Sequence, residues 1–391
     1  MKEAWKSTKL RNVCELINGR AYSKPELLAN GKYRVLRVGN FFTNNHWYYS
    51  DLELEANKYC DTGDLLYAWS ASFGPRIWLG DKVIFHYHIW KVVHNPALID
   101  QKFLFMFFLW DTELVKEEQG TGTTMTHVSK GSMEDRTIQL PPLPEQKRIV
   151  GILDEAFDGI ATAKSNAEKN LQNARALFES HLQSVFTQRG DDWVEKPLGT
   201  LANFRNGINY TKGSKGEHVK IVGVKDFQKS FWVPSENLDS VTIDGKLNEE
   251  DILKNDDILT VRSNGNPELI GRCILAGNVS GKISHSGFTI RIRLLNGELL
   301  PTYVCHFMKC KTSRKRLTDG GTGVNIKSLN QQTLSSLCIP YPPASRQKAL
   351  VASLESISSE TQRLESIYQQ KLAALEALKK SLLHQAFSGQ L

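Results

Sequence analysis

The chain has 391 residues, enough for two or more domains each with a core of its own. Hydrophobic residues make up 40% and charged residues 23%, an ordinary globular balance, and a formal net charge of +7 tilts the molecule towards polyanionic partners. The longest apolar run, 103–110, falls far short of the ~20 residues of a membrane helix, the opening MKEAWKSTKL holds no secretory h-region, and six scattered cysteines without a CxxC pair read as free thiols of a reducing cytoplasm.

Taken from the N-terminus, short β-branched and aromatic runs at 34–38 and 82–93 lie between Gly, Asn and Asp turns, which predicts strands of a mixed α+β body. The run 103–110 reads as a helix buried in that body. Next come the glycine-rich GTGTTM from Gly120 and then LPPLPEQKRIV, residues 140–150. Pro144 suits a first helical turn, and Glu145 there complements the helix dipole. Val150, Leu153, Phe157, Ile160, Ala167, Leu171, Ala174, Phe178 and Val185 then step by threes and fours, interrupted at Lys164 and His181. That spacing marks a coiled-coil seam, which needs a partner helix.

Beyond this helix the same text returns. WVEKPLGTLANFRNGINYTK from Trp193 repeats WKSTKLRNVCELINGRAYSK from Trp5 at an offset of 188, placing Asn206-Gly207 on Asn18-Gly19, Tyr210 on Tyr22 and Lys212 on Lys24. GTGVNI from Gly321 repeats GTGTTM at an offset of 201, which then holds through Pro342-Pro343, Gln347-Lys348 and Phe387. The chain is therefore a tandem duplication whose second copy carries thirteen extra residues. GDLLYAWS (63–70) and YRVLRVGNF (33–41) find looser counterparts in DDILTVRS (256–263) and VKIVGVKDF (219–227). Strands are expected at 220–224 and 289–294, a buried helix near 301–311, and a second long helix N-capped by Ser345, with Leu350, Leu354, Ile357, Leu364, Tyr368, Leu375, Leu378 and Leu382 along its seam.

Helices of ~45 residues run roughly 65 Å at 1.5 Å per residue, longer than a small domain is wide. Their simplest partners are each other, antiparallel. The expected fold is α+β: two mixed bodies, 1–140 and 189–340, with long helical regions, 141–188 and 341–391, forming an antiparallel coiled coil under an internal pseudo-twofold. Two unlike readers at a fixed separation suit duplex DNA, whose major-groove half-sites recur every ~34–36 Å.

The polar, Gly-rich loops supply candidate contacts by residue chemistry. Arg pairs bidentately with guanine and Asn with adenine, while Lys, Ser and Thr contact phosphates. In the first copy the candidates are Tyr22, Lys24, Asn44, Asn45, His46, Ser70, Arg76, Thr123 and Thr124. In the second they are Tyr210, Lys212, Lys215, Arg262, Asn264, Asn266, Arg272, Asn325 and Lys327. Each loop alone reads equally as a solvated turn. Catalytic signatures are missing: the sequence has no P-loop and no GxGxxG, and its Asn-Pro steps lack the second Pro and aromatic of amino methyltransferases. The D-x-K strings Asp100-Gln101-Lys102 and Asp244-Gly245-Lys246 have no partner acid, and His86, His88 and the Cys305/His306/Cys310 cluster lack zinc spacing and read as strand or core residues. The chain reads as a binder and not an enzyme, with no cofactor or metal of its own.

GTG followed by PPLPEQKRIVGIL and a long helix, its second copy GTG with PPASRQKALVASL, and the ending LLHQAFSGQL resemble the specificity subunits of type I restriction–modification systems over the whole chain. Arg346 departs from the pattern, standing where Glu145 stands in the first copy. The resemblance implies two target recognition domains, each reading one half of a bipartite asymmetric site in double-stranded DNA. It implies helices that set the spacer and dock two DNA methyltransferase subunits, and motor–nuclease subunits beyond them, in the cytoplasm. Alternatives are the specificity chain of a related fused methyltransferase–nuclease system, or a non-catalytic two-headed protein scaffold.

Overall fold

A computed structural model of the chain describes residues 5–70, 72–118, 128–227, 230–234, 236–319 and 328–391. The chain divides into two compact units. The first comprises Met1–Glu168 with Gln370–Leu391, and the second Lys169–Gln369. Each unit therefore joins one body to the first half of one long helix and the last half of the other.

In the first unit, the strands Cys14–Asn18, Ile89–His94, Leu65–Ser70 and Ser72–Ile77 form an antiparallel sheet in that order. The strand Leu65–Ser70 is buried on both faces, which is why it reads as a continuous apolar run. Leu65 and Tyr67 join a core with Phe103, Leu104, Phe107 and Phe108 of the helix Gln101–Glu118, while Leu66 and Ala68 face Leu36, Phe41 and Phe85. A second, mixed sheet orders Tyr48–Ser50, Tyr33–Leu36, Val83–Phe85 and Tyr59–Cys60. The run 82–93, expected as one strand, is two: the chain turns at His86–His88 and passes from the mixed sheet into the antiparallel one. Its uniform β-branched and aromatic composition conceals that break, and His86 and His88 accordingly lie in a turn instead of sharing a strand face.

The second unit repeats the plan. Ala202–Asn206, Thr289–Leu294, Ile258–Val261 and Cys273–Leu275 form the antiparallel sheet, and Asp239–Thr242, His218–Val222 and Ile283–His285 the mixed one. The helix Pro301–Lys309 takes the place of Gln101–Glu118. In both units a two-stranded ribbon, Lys6–Lys9 with Thr137–Leu140 or Val194–Pro197 with Cys338–Tyr341, ties the start of the body to the approach of a long helix.

The long helices span Leu143–Thr187 and Ala344–Phe387. Each starts on a proline carbonyl: Pro142 accepts from the amides of Glu145 and Gln146, and Pro343 from those of Arg346 and Gln347. Ser345 thus lies inside the first turn and is not the cap, because the second proline of each pair already supplies the first acceptor. In the first unit the helix halves pair antiparallel. Arg148 donates to the Leu391 carbonyl, the Lys379 ammonium sits 5.0 Å from the centre of the Phe157 ring, and Lys164 pairs with Glu376. In the second unit Arg175 pairs with Glu365. Leu153, Ile160, Ala167, Ala174 and Val185 are buried as the seam requires, whereas Leu378 is 47% exposed because Lys379 takes the inward place beside Phe157.

Candidate nucleic-acid interface

Each body presents one turn in the same backbone frame, and a glycine holds it there. A Cβ on Gly19 would lie 2.3 Å from the Phe85 carbonyl oxygen, and one on Gly207 2.2 Å from that of Ser286, so neither position admits a side chain. The aligned Asn-Gly steps of the sequence encode this close approach. It seats the turns His86-Tyr87-His88 and Ser286-Gly287-Phe288, whose central amides donate to the carbonyls of Arg20 and Ile208. The amides of Trp69 and Arg262 then donate to the carbonyls of His88 and Phe288, and those of Val128 and Leu329 to the carbonyls of Trp69 and Arg262. The chain following each GTG stretch therefore returns to the same edge in both copies. Thr123, Thr124, Asn325 and Lys327 themselves lie outside the described residues.

On this shared frame the side chains differ. Tyr87 is 37% exposed at the tip of the first turn, and Phe288 61% exposed on the second. In the first body a cleft beside the turn is lined by Arg37, Asn40, Asn44, His46, His86 and His88. The Arg37 guanidinium lies 5.2 Å from the centre of the Tyr48 ring and His46 packs edge-on against the same ring at 5.3 Å, while His86 and His88 stand 4.8 Å apart. Burial first, then the neighbouring His88 and Arg37, push His86 down to about 4. Its imidazole is therefore neutral at pH 7, with one donor and one acceptor nitrogen, a pair suited to a base edge. The Asn40 side-chain amide donates to the backbone carbonyls of Asn44 and His46, and the Asn44 side-chain oxygen Oδ1 accepts from the His46 backbone N–H, which fixes the loop and leaves His46 and Arg37 outward.

Of this group, sequence reasoning singled out Asn44 and His46. Arg37 and Asn40 lay in the loosely repeated YRVLRVGNF string, a usable signal, whereas the turn that exposes His86 and His88 had none. The remaining candidates are spread around the bodies. Tyr22 is half-buried with its hydroxyl 3.5 Å from the Phe85 carbonyl, and Ser70 is buried; Lys24 and Asn45 are exposed, as is Arg76, which lies over the Phe41 ring. In the second body Tyr210, Lys212 and Lys215 share an exposed loop that leaves the Ile208 end of the turn frame. Arg262 stands beside the turn. Asn264 and Asn266 shape the loop that follows by accepting from the amides of Asn266 and Glu268, and Arg272 donates to the Glu268 carbonyl.

The D-x-K strings have local duties: Asp100 accepts from the amides of Lys102 and Phe103 at a helix start, and Asp244 from the Lys215 amide and the Ser214 hydroxyl. The cysteine–histidine cluster disperses. Cys305 lies against Cys273, with 3.7 Å between the sulfurs, the Cys310 thiol donates to Gln183, and His306 faces a cleft. Among the described residues no group of three or more His, Cys, Asp or Glu could hold a metal ion, and no helix is long and apolar enough to cross a membrane.

The family model described as the type I restriction modification DNA specificity domain matches residues 2–172 and again 190–376. The StySPI specificity subunit of Salmonella potsdam is 25% identical over 285 residues, covering 69% of this chain and 61% of its own length. The EcoBI specificity subunit of Escherichia coli is 20% identical over 420 residues, covering 100% of this chain and 86% of its own. A chain from a solved structure on the assembly and conformational transition of the type I R-M system superposes with a TM-score of 0.80 at 16% identity, covering 100% of this chain and 99% of that one. The HsdS subunit from Thermoanaerobacter tengcongensis gives 0.59 at 17% identity, with 100% and 98% covered. These likenesses show the duplicated α+β fold.

Proposed function

The chain belongs to the type I restriction–modification DNA specificity family, and from that premise we propose that it is the sequence-reading subunit of such a system. Each body reads one half of a bipartite asymmetric site in double-stranded DNA. The observation that carries this is the pair of equivalent turns: one backbone frame built twice, bearing His86, Tyr87 and His88 in one copy and Ser286, Gly287 and Phe288 in the other. Identical frames with unlike side chains are what two independent half-sites require, since backbone contacts give register and side chains give sequence. In the first body the readers are Arg37, His46 and the His86–His88 turn, joined by the candidates on the loops around them.

The long helices hold the readers at a set separation and dock two methyltransferase subunits, with motor–nuclease subunits completing the complex. Leu177, 64% exposed, and Ile367, 42% exposed, lie on helix faces turned from the seam and suit such a contact. Chemistry belongs to those partners, and this chain supplies binding alone. Exchanging residues 1–140 for the corresponding body of a relative, followed by sequencing of the methylated motif, tests the reading. One half of the motif changes and the other stays. A change in both halves, or none in either, overturns independent readers.

A further inference from the structure

The helix Pro301–Lys309 differs from its first-copy counterpart at two telling positions. Its register against Gln101–Glu118 is fixed by packing, because Phe186 meets Tyr303 and Phe307 as Phe387 meets Phe103 and Phe107. In that register His306 and Lys309 stand where the first copy has Met106 and Leu109. Two apolar side chains in one copy are thus an imidazole and an ammonium in the other.

Both face a cleft of the second unit, together with Arg272, Arg314 and Phe231. His306 is 3% exposed, yet neither ring nitrogen has a hydrogen-bond partner, and the Arg314 Nε is likewise buried and unpartnered. A buried polar atom without a partner is costly, and three around one opening mark a place that something polar fills. The charge around it is one-sided: no Asp or Glu is among the described residues lining the cleft. Arg314 donates to a neutral acceptor, the Glu268 carbonyl, at 2.8 Å, and Arg272 donates to the same oxygen at 3.1 Å among its contacts. The Lys309 ammonium lies 5.1 Å from the centre of the Phe231 ring, which itself packs 4.7 Å from His306. Ser230, Ser358 and Gln362 add neutral hydrogen-bonding groups on the walls.

We propose that this cleft of the second unit binds a small phosphate-bearing anion, held by Lys309 and Arg314 with His306 beneath it. Guanidinium and ammonium groups around one opening suit a tetrahedral oxyanion with several acceptor oxygens, and the buried imidazole supplies a further donor from below. The first copy, with Met106 and Leu109 at the equivalent places, has no such site.

Isothermal titration calorimetry of the full chain with inorganic phosphate tests this. Saturable binding is expected. Lys309→Leu, which restores the first copy's residue, and Arg314→Gln should each weaken it at least tenfold while leaving the melting temperature near that of the parent chain. Both positions are partly exposed, and loss of fold in one variant leaves the other to decide. Titration repeated with saturating non-specific duplex separates the sources: displacement assigns the phosphate to a nucleic-acid backbone, and retention to a free anion. Absence of binding at millimolar phosphate, binding unaltered in the variants, or acetate binding as tightly as phosphate would each overturn the proposal.

Discussion

The ring of Phe387, almost at the C-terminus, lies 5.2 Å from the ring of Phe103, and the same distance separates Phe186 from Tyr303. Each body's buried helix is thus closed by the last turn of the long helix that follows the other body in sequence. The duplication is complete down to its seals, and the first unit is closed by a stretch, Gln370–Leu391, that the whole second unit separates from the rest of it.

Removing one seal should therefore destabilise a body remote in sequence. Phe387 is 4% exposed and touches Phe103, Phe107 and Trp110. Phe387→Ala leaves a cavity in the first unit, with an expected loss of about 3–5 kcal/mol in urea unfolding. Leu378→Ala, on the exposed side of the same helix, should change stability by less than about 0.5 kcal/mol. Equal effects would mean that the C-terminal turn does not seal the first core.

Gln146 and Gln347 explain why the two helix starts are spelled alike. Both are fully buried. The Gln146 amide donates to the carbonyls of Leu98 and Pro141 while its oxygen accepts from the Asp100 amide; Gln347 does the same with Glu298, Pro342 and Leu300. One side chain thus ties the helix start to the loop before the buried helix, three bonds at a time. Gln146→Ala or Gln347→Ala strands buried backbone groups and should cost about 2–4 kcal/mol. The neighbours Glu145 and Arg346 point outward to Arg148 and Asp192, so Glu145→Ala should cost under about 1 kcal/mol by the same measurement.

Acid should weaken the second unit through its buried histidines. Burial first, then the charge of Lys309, hold His306 at about 4; burial and Arg291 hold His285 at about 3. An unfolded imidazole titrates near 6.5. Below that pH the unfolded chain takes up protons that the folded chain refuses. The stability contributed is full above pH 6.5 and falls as pH drops towards 4, at about 1.4 kcal/mol per pH unit for each group. Asp111, raised to about 6 mainly by burial, acts in the opposite sense, so the comparison is with a variant. His306→Met should flatten the dependence between pH 6 and 5 by about 1.4 kcal/mol per unit, and an unchanged slope would show that His306 is not held neutral.

The long helices, the duplication and the buried helix of each body were legible because they rest on local periodicity and on a text spelled twice: Val150, Leu153 and Ile160 keep helical spacing and are buried. What escaped depends on contacts distant in sequence. The His86–His88 turn is invisible within a β-rich run, since the glycine that shapes it, Gly19, lies far upstream. The glutamines stood in the sequence only as matching positions of the repeat, because their partners lie on a preceding loop. His306 looked like a satisfied core residue until its nitrogens proved unpartnered.

If the helices set the spacing of the two readers, as proposed, length added to both should be read in the DNA. Each runs unbroken, over 45 residues in the first and 44 in the second. A heptad keeps the apolar seam in phase, so seven residues inserted into each helix, between Lys164 and Arg175 in the first and between Glu365 and Glu376 in the second, preserve their pairing. The insertion adds roughly 10 Å of helix, close to three base pairs of duplex. The methylated motif of a complex carrying both insertions should keep its two half-site sequences and gain up to about three unspecified base pairs between them, or methylation should cease. Insertion of four residues in each helix breaks the phase of the seam and should lower thermal stability instead. An unaltered spacer in an active heptad variant would separate the helices from any role in setting the distance, and would leave them docking partner subunits alone.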